Sequence, residues 1–296
     1  MNEYEYQEPR TRTNPQMTVG FVGLGRMGLP MAVNLVEAGV DVVGTDLDKE
    51  RKRALEDAGG KTADSIPETI ADADVAITVL RTPDQVLAVA EDLLDALDEG
   101  DLYVDMSSID PLTSETVAEL AAEDGIRTVD APVSGGVSGA EAGTLSVIAG
   151  GEEDDIEEAR ELFEPMADTV FHVGSTGAGQ TVKLANQLLV GAQTVLVAEA
   201  FRFGDANGID RETLRDVLVQ SAGSSWVLET WGDRYIEEEH EPGFEINLQH
   251  KDLRLMTEAA VELDVPVPLG AAAMQKYVEA KREGLADRDV TAVFQL

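Results

Sequence analysis

The chain has 296 residues, 43% of them hydrophobic, with 58 acidic residues against 22 basic ones and a formal net charge of -36. That length and apolar content suit one large or two ordinary folded domains, while the charge argues against nucleic acid and anionic membranes as partners. No cysteine is present, which excludes disulfides, thiolate nucleophiles and cysteine-held zinc.

Residues 1–16 are polar, lack an apolar signal core and read as a flexible extension, since Met17 would itself make a natural start. No uninterrupted apolar stretch reaches the ~20 residues of a membrane helix, so cytoplasmic residence is expected. Acids are spread through helical stretches such as Glu91-Asp92, Glu152 to Asp155 and Glu157-Glu158 rather than gathered in a tail. Such self-repulsion is relieved when salt screens it, which points to a halophilic protein from a salt-accumulating cytoplasm.

The first strand pattern, 18–22, runs into Gly23-Leu24-Gly25-Arg26-Met27-Gly28 and then into a helical pattern through Met31, Leu35 and Val36. Gly23 would permit a tight turn, Gly25 would let the backbone approach a pyrophosphate, and Gly28 would let helix and strand pack closely. The helix would point its free N–H groups at the phosphates. The glycine motif alone is weak; the flanking elements and an acid 18 residues beyond Gly28 strengthen it. That acid, Asp46, closes a second apolar run and could accept from the adenosine ribose 2′-hydroxyl.

Further strand patterns follow at 40–45, 75–80, 102–105, 127–130, 145–149 and 169–172, alternating with helical patterns near 27–38, 49–58, 84–97, 112–123 and 153–166. This alternation predicts a mostly parallel, doubly wound Rossmann-type sheet over 17–178. From 179 to 296 the text is all helical, with one helix over 180–207 and others at 210–220, 250–263 and 270–284. The long helix would hinge a dinucleotide-binding domain to a helical substrate or oligomerisation domain.

Four other stretches carry chemistry. Asp105-Met106-Ser107-Ser108 closes a strand, where ligands bind in open α/β sheets. Asp130-Ala131-Pro132-Val133-Ser134-Gly135-Gly136 ends a strand in a turn able to offer backbone N–H groups to a carboxylate; it would equally suit an ordinary loop. In Gly177 to Gln187, Lys183, Asn186 and Gln187 share one helix face among apolar neighbours. A lysine there is poorly placed for solvation and opposes the helix dipole, so desolvation would lower its pKa toward the range useful to a proton donor; the segment would equally suit an exposed lysine whose stem covers apolar surface. Lys251 opens another helix in Asn247 to Leu253. His172, His240 and His250 have no metal-ligand spacing and read as structural, and no metal is expected. Ser224, Ser225, Trp226 and Trp231 suit either a pocket or, preferably, core packing.

Together these residues resemble the β-hydroxyacid dehydrogenase family, which includes 3-hydroxyisobutyrate dehydrogenase and tartronate semialdehyde reductase. The likeness runs from about Thr18 to the C-terminus. It is strongest in Phe21-Val22-Gly23-Leu24-Gly25-Arg26-Met27-Gly28-Leu29-Pro30-Met31-Ala32-Val33-Asn34-Leu35. The resemblance implies a Rossmann domain followed by a helical domain, with Lys183 as the catalytic lysine and Asn186 and Gln187 orienting substrate or lysine. It implies that Ser134, Gly135 and Gly136 grip the substrate carboxylate and that Ser108 and Lys251 lie near the nicotinamide. Leu80, Arg81 and Gln85 would lie near the adenosine or bridging part of the cofactor.

Arg81 stands where many relatives have proline. Gln187 replaces a common second asparagine, a variant associated with tartronate semialdehyde reductases. The absence of a His-Asn pair at 186–187 separates the chain from 6-phosphogluconate dehydrogenase. Asp46 would repel a 2′-phosphate and Leu47 offers no positive partner, so NAD is favoured over NADP.

The implied reaction is reversible hydride transfer between NAD(H) and a short 3-hydroxy acid or its semialdehyde, in a homodimer or homotetramer. An imine reductase shares this architecture but generally lacks the lysine. A non-catalytic cofactor-binding protein would have lost the lysine or the carboxylate turn.

Overall fold

The computed structural model describes residues 17–238, 240–241 and 243–296; the expected extension at 1–16 lies outside them. From the N-terminus, β1 (Thr18–Val22), α1 (Gly28–Glu37), β2 (Asp41–Thr45), α2 (Lys49–Asp57) and β3 (Lys61–Thr62) form the first βαβαβ run. Next come α3 (Ile66–Ile70), β4 (Val75–Thr78), α4 (Pro83–Leu94), β5 (Leu102–Asp105), α5 (Pro111–Glu123) and β6 (Arg127–Asp130). Then β7 (Val133–Ser134), α6 (Gly136–Ala142), β8 (Leu145–Gly151), α7 (Glu153–Phe163) and β9 (Ala167–Gly174) complete the sheet.

The sheet order is β3-β2-β1-β4-β5-β6-β8-β7, with β9 also paired to β8. Pairing is parallel from β3 through β6, whereas β8 runs antiparallel to both β6 and β7. This is a doubly wound Rossmann-type sheet whose strand order reverses between β1 and β4, where ligands settle at the carboxyl ends of strands. Central strands are buried on both faces, as in Val75–Thr78 and Leu102–Asp105, which explains their unbroken apolar or β-branched text.

The helical half follows as α8 (Ala178–Ala206), α9 (Arg211–Val219), α10 (Trp226–Glu237), α11 (Ile246–Glu262), α12 (Pro268–Arg282) and a 3-10 turn at Val290–Gln295. Its core, which includes Leu184, Phe201, Trp231, Tyr235, Tyr277 and Phe294, is separate from the two apolar clusters of the sheet half. α8 is long and apolar enough to cross a membrane by length and composition. Its inward face, however, buries Gln180, Lys183 and Gln187 in protein, as a core helix does.

Several boundaries differ from the sequence reading. β4 stops at Thr78 because Val79 and Leu80 turn away, Leu80 giving its N–H to the Ser107 hydroxyl. The sequence reading omits β3, α3, β7 and α6, all too short for periodicity to register. It also omits α10, which starts at a Ser225 cap and buries Val227, Leu228, Trp231 and Tyr235. Gly232 sits inside that helix because the Arg215 stem passes 3.1 Å from where its Cβ would stand.

Candidate active site

At the end of β1 the chain turns on Gly23, whose φ of 98° lies in the left-handed region and whose Cβ would meet the Val79 carbonyl oxygen at 2.4 Å. Gly28 is excluded from carrying a side chain more strictly still, since a Cβ there would fall 1.9 Å from the Gly23 carbonyl oxygen. At Gly25 a Cβ would meet nothing within 4 Å. The turn is therefore closed by its outer glycines and open at its middle one, a cradle that a diphosphate can enter. Behind it, α1 begins with Met27 at the cap position, without a side-chain cap or an acid in its first turn, leaving a positive end free for an anion.

Asp46, half-buried just past β2, accepts from the Leu24 N–H at 2.8 Å and, through its other oxygen, from the Asp48 N–H at 2.8 Å. It fastens the glycine turn to the second strand. Each carboxylate oxygen retains lone-pair capacity for a ribose hydroxyl. Leu47 is fully exposed, and the nearby Lys52 is committed to the Ala63 carbonyl and Asp64. Arg26 reaches the other half of the molecule, where its guanidinium pairs with Glu245 at 3.2 Å, just before α11. Met27 packs against the sheet core.

Leu80 lies beside Gly23, its Cδ2 3.2 Å from where the glycine's Cβ would stand. The Leu80 N–H donates to Ser107 Oγ at 2.8 Å, tying the loop after β4 to the loop after β5. Arg81 is exposed and its N–H donates to Gln85 Oε1 at 3.1 Å, so these two residues stabilise the start of α4.

Lys183 is 6% exposed on the second turn of α8. Burial lowers its ammonium from the ordinary lysine range to about 8; Asp252 pulls the other way, and the charge of Lys251 adds to the lowering. No described residue hydrogen-bonds its Nζ, which leaves the amine available to a ligand. Around it runs a connected set of polar groups. Asn186 Nδ2 donates to Gln187 Oε1 at 3.2 Å, and Gln187 Nε2 donates to Asp252 Oδ2 at 2.6 Å. The other Asp252 oxygen pairs with Lys251 Nζ at 2.9 Å, and the same ammonium donates to the Ser108 carbonyl oxygen. Lys183, Asn186, Gln187, Lys251 and Ser108 are thus drawn to one place, where α8, α11 and the loop after β5 meet. Gln187 turns to Asp252 rather than to the lysine.

Ser134 to Gly136 form a turn in which Gly135 and Gly136 have φ of 136° and 65°. No hydrogen bond joins that turn to Lys183. Its connection to the site is through Asp130, where β6 ends: Asp130 accepts the Gly177 N–H at 2.8 Å and the Gln180 N–H at 3.0 Å, capping α8. Burial lifts the Asp130 carboxyl to about 7 against the lowering effect of those two N–H groups.

Three residues here were quoted within motifs by the sequence reading but given no role: Asp130, Gln180 and Asp252. Gln180 is fully buried; its Oε1 accepts from the Ile109 N–H at 3.0 Å and its Nε2 donates to the Ser107 carbonyl at 2.9 Å. The available signal was position: one helical turn before Lys183, at a strand end, and directly after Lys251. His172 Nε2 lies within hydrogen-bond distance of the Gly151 and Gly174 carbonyls, His240 is bonded to Thr291, and His250 Nδ1 lies 3.3 Å from Lys281 Nζ. Ser225 caps α10, and Trp226 packs edge-on to the buried Trp231.

Residues 18–174 match the family described as the NAD binding domain of 6-phosphogluconate dehydrogenase, and residues 177–296 match that described as NAD-binding of NADP-dependent 3-hydroxyisobutyrate dehydrogenase. A 2-(hydroxymethyl)glutarate dehydrogenase from Eubacterium barkeri is 38% identical over 282 residues, covering 94% of each chain. An NAD-dependent L-serine dehydrogenase from Pseudomonas aeruginosa is 35% identical over 288 residues, covering 94% of this chain and 97% of its own. Among solved structures, a Mycobacterium tuberculosis 3-hydroxyisobutyrate dehydrogenase with L-serine superposes with a TM-score of 0.89 at 36% identity, covering 94% of this chain and 98% of its own. With both halves of the fold matched along nearly the whole chain, the protein belongs to the β-hydroxyacid dehydrogenase family of NAD(P)-dependent oxidoreductases.

Proposed function

We propose that the chain transfers a hydride reversibly between NAD(H) and a short 3-hydroxy acid of the 3-hydroxyisobutyrate or tartronate semialdehyde type, with Lys183 handling the proton. The carrying observation is the buried, unengaged Lys183 amine beside the Lys251–Asp252 pair, with its pKa lowered to about 8. The substrates named for the three relatives share one chemistry, a hydroxymethyl group on the carbon that bears a carboxylate.

The Gly23–Gly28 turn would hold the dinucleotide by its diphosphate, with Ser108 and Lys251 near the nicotinamide, and the bound cofactor would supply the acceptor or donor of the hydride. In the oxidation direction, neutral Lys183 takes the alcohol proton as the carbon–hydrogen bond yields its electron pair, and the products are a semialdehyde and an ammonium. Reduction runs the same step backwards. Lys251, tied to Ser108 and Asp252, holds α11 against the nicotinamide loop. Ser134, Gly135 and Gly136 offer the carboxylate a hydroxyl and exposed backbone, and Asn186 orients the substrate beside the lysine.

Asp46, with a negative charge where a 2′-phosphate would sit, supports NAD over NADP. Residues 17–178 act as the dinucleotide-binding unit and 179–296 as the helical one, in a salt-adapted, cytoplasmic homo-oligomer. The test is reductase activity in molar KCl with methylmalonate semialdehyde, tartronate semialdehyde and an imine panel, each with NADH and NADPH. A semialdehyde substrate with a higher kcat/KM for NADH is expected. Turnover of imines alone overturns the substrate reading, and a preference for NADPH overturns the cofactor reading.

A further inference from the structure

The chain holds seven lysines, and their surroundings set one of them apart. Lys52, Lys61 and Lys276 pair with Asp64, Asp41 and Glu279. Lys251 is bound to Asp252 and to the Ser108 carbonyl, and Lys281 lies 3.3 Å from His250 Nδ1. Lys49 is exposed at the start of α2. Lys183 alone is buried, and among the described residues no hydrogen bond or ion pair engages its Nζ.

A primary amine in that setting is a nucleophile as well as a base. Desolvation and a neighbouring cation both favour its neutral form. Here burial acts first and the charge of Lys251 adds to it, against the Asp252 carboxylate. An amine titrating at about 8 is neutral in about a quarter of molecules at pH 7.5, against about 0.1% for an ordinary lysine near 10.4. The reaction proposed above brings to this amine an aldehyde, the electrophile that amines capture. As the amine faces the carbonyl oxygen, the carbonyl carbon lies one bond, ~1.2 Å, beyond it. A small rotation of the aldehyde brings that carbon into the ~3–3.5 Å range of a near-attack approach.

We propose that Lys183 is also a covalent site: its amine captures the semialdehyde as a reversible imine, which withholds the proton donor and slows reduction when aldehyde accumulates. The proposal rests on the reading of this site as one that takes a short 3-oxo acid. The nitrogen bonds to the carbonyl carbon, and the carbon–oxygen π pair takes a proton to give a carbinolamine. The hydroxyl then leaves as water with a second proton, and the nitrogen lone pair closes the C=N bond. Readdition of water frees amine and aldehyde, and nothing is oxidised or reduced. The protonated imine keeps the positive charge of the ammonium it replaces, a charge that Asp252 favours. Burial limits the water that would hydrolyse it.

Trapping with borohydride tests this in the full-length protein in molar KCl, with NAD+ present so that no hydride is offered by the cofactor. Methylmalonate or tartronate semialdehyde is added, samples are quenched between pH 6 and 10, and intact masses and peptide maps are read. One adduct is expected on the peptide carrying Lys183, with the mass of the semialdehyde less one oxygen. Its yield should rise as pH passes through about 8, under the charges of Asp252 and Lys251 that act on the amine. Lys183→Met should lose that adduct; if this variant does not fold, the peptide map of the parent decides alone. Preincubation with the semialdehyde should lower the initial rate of NADH oxidation, with recovery on dilution. Label on the amino terminus or on other lysines but not on Lys183, in protein that reduces the semialdehyde, overturns the covalent site and leaves the reductase reading standing. Label on Lys183 in protein that does not reduce the semialdehyde supports the site and overturns the reductase reading. Absence of both label and turnover overturns both.

Discussion

At Lys183, burial and the neighbouring charge of Lys251 act against the Asp252 carboxylate and prevail, bringing the amine to about 8. On the proposed mechanism that value sets the pH behaviour of each direction. With the neutral amine as base in oxidation, kcat/KM should climb as pH rises through about 8 and then level. Reduction needs the ammonium and should fall over the same interval. Profiles of both directions at constant high salt check this, and parallel profiles would remove Lys183 as the proton carrier. Lys183→Ala should lose about 10²–10⁴ in turnover, the range of a positioned acid/base, while NADH affinity by fluorescence titration stays near that of the parent. The type of residue was visible in the sequence, a lysine among apolar neighbours. Its partners were not: Asp252 lies 69 positions further along the chain, and only folding sets it at Gln187.

At the scale of elements, the start of α8 is held from two sides. Asp130 caps it from β6, and the Gln180 amide recognises the backbone of the loop after β5 through Ile109 and Ser107. Lys183 follows one turn later, so this clamp sets where the amine stands relative to the loop after β5. Gln180→Ala would leave a buried N–H and a buried carbonyl without partners, at about 1–3 kcal/mol for each unmade bond. A lower Tm by calorimetry and a kcat that falls more than KM rises are expected. An unchanged Tm would show that the loop re-forms its bonds elsewhere. The long elements were legible because their periodicity extends over several turns or a whole strand. The two-residue strands β3 and β7 were not, because they exist only as partners of β2 and β8. α10 was obscured by Gly232, whose place in a helix makes sense only against the Arg215 stem.

At the scale of the whole molecule, charge is the dominant long-range term. With a net charge of -36, stability should rise steeply with salt as the screening length falls from about 10 Å at 0.1 M to about 3 Å at 1 M. Thermal unfolding across a KCl series checks this, and full stability in dilute buffer would overturn the halophilic reading. The dinucleotide cradle and the two-part fold were determined by the amino-acid sequence alone. They depend on local facts: where glycine is compulsory, and how apolar residues repeat along strands and helices. The polar circuit from Asn186 through Gln187, Asp252 and Lys251 to Ser108 was decided by tertiary structure. So was the antiparallel turn of β8 within an otherwise parallel run. Both join residues far apart in the chain, and such pairings follow from which buried groups find a partner once the layers have closed, which no local pattern encodes.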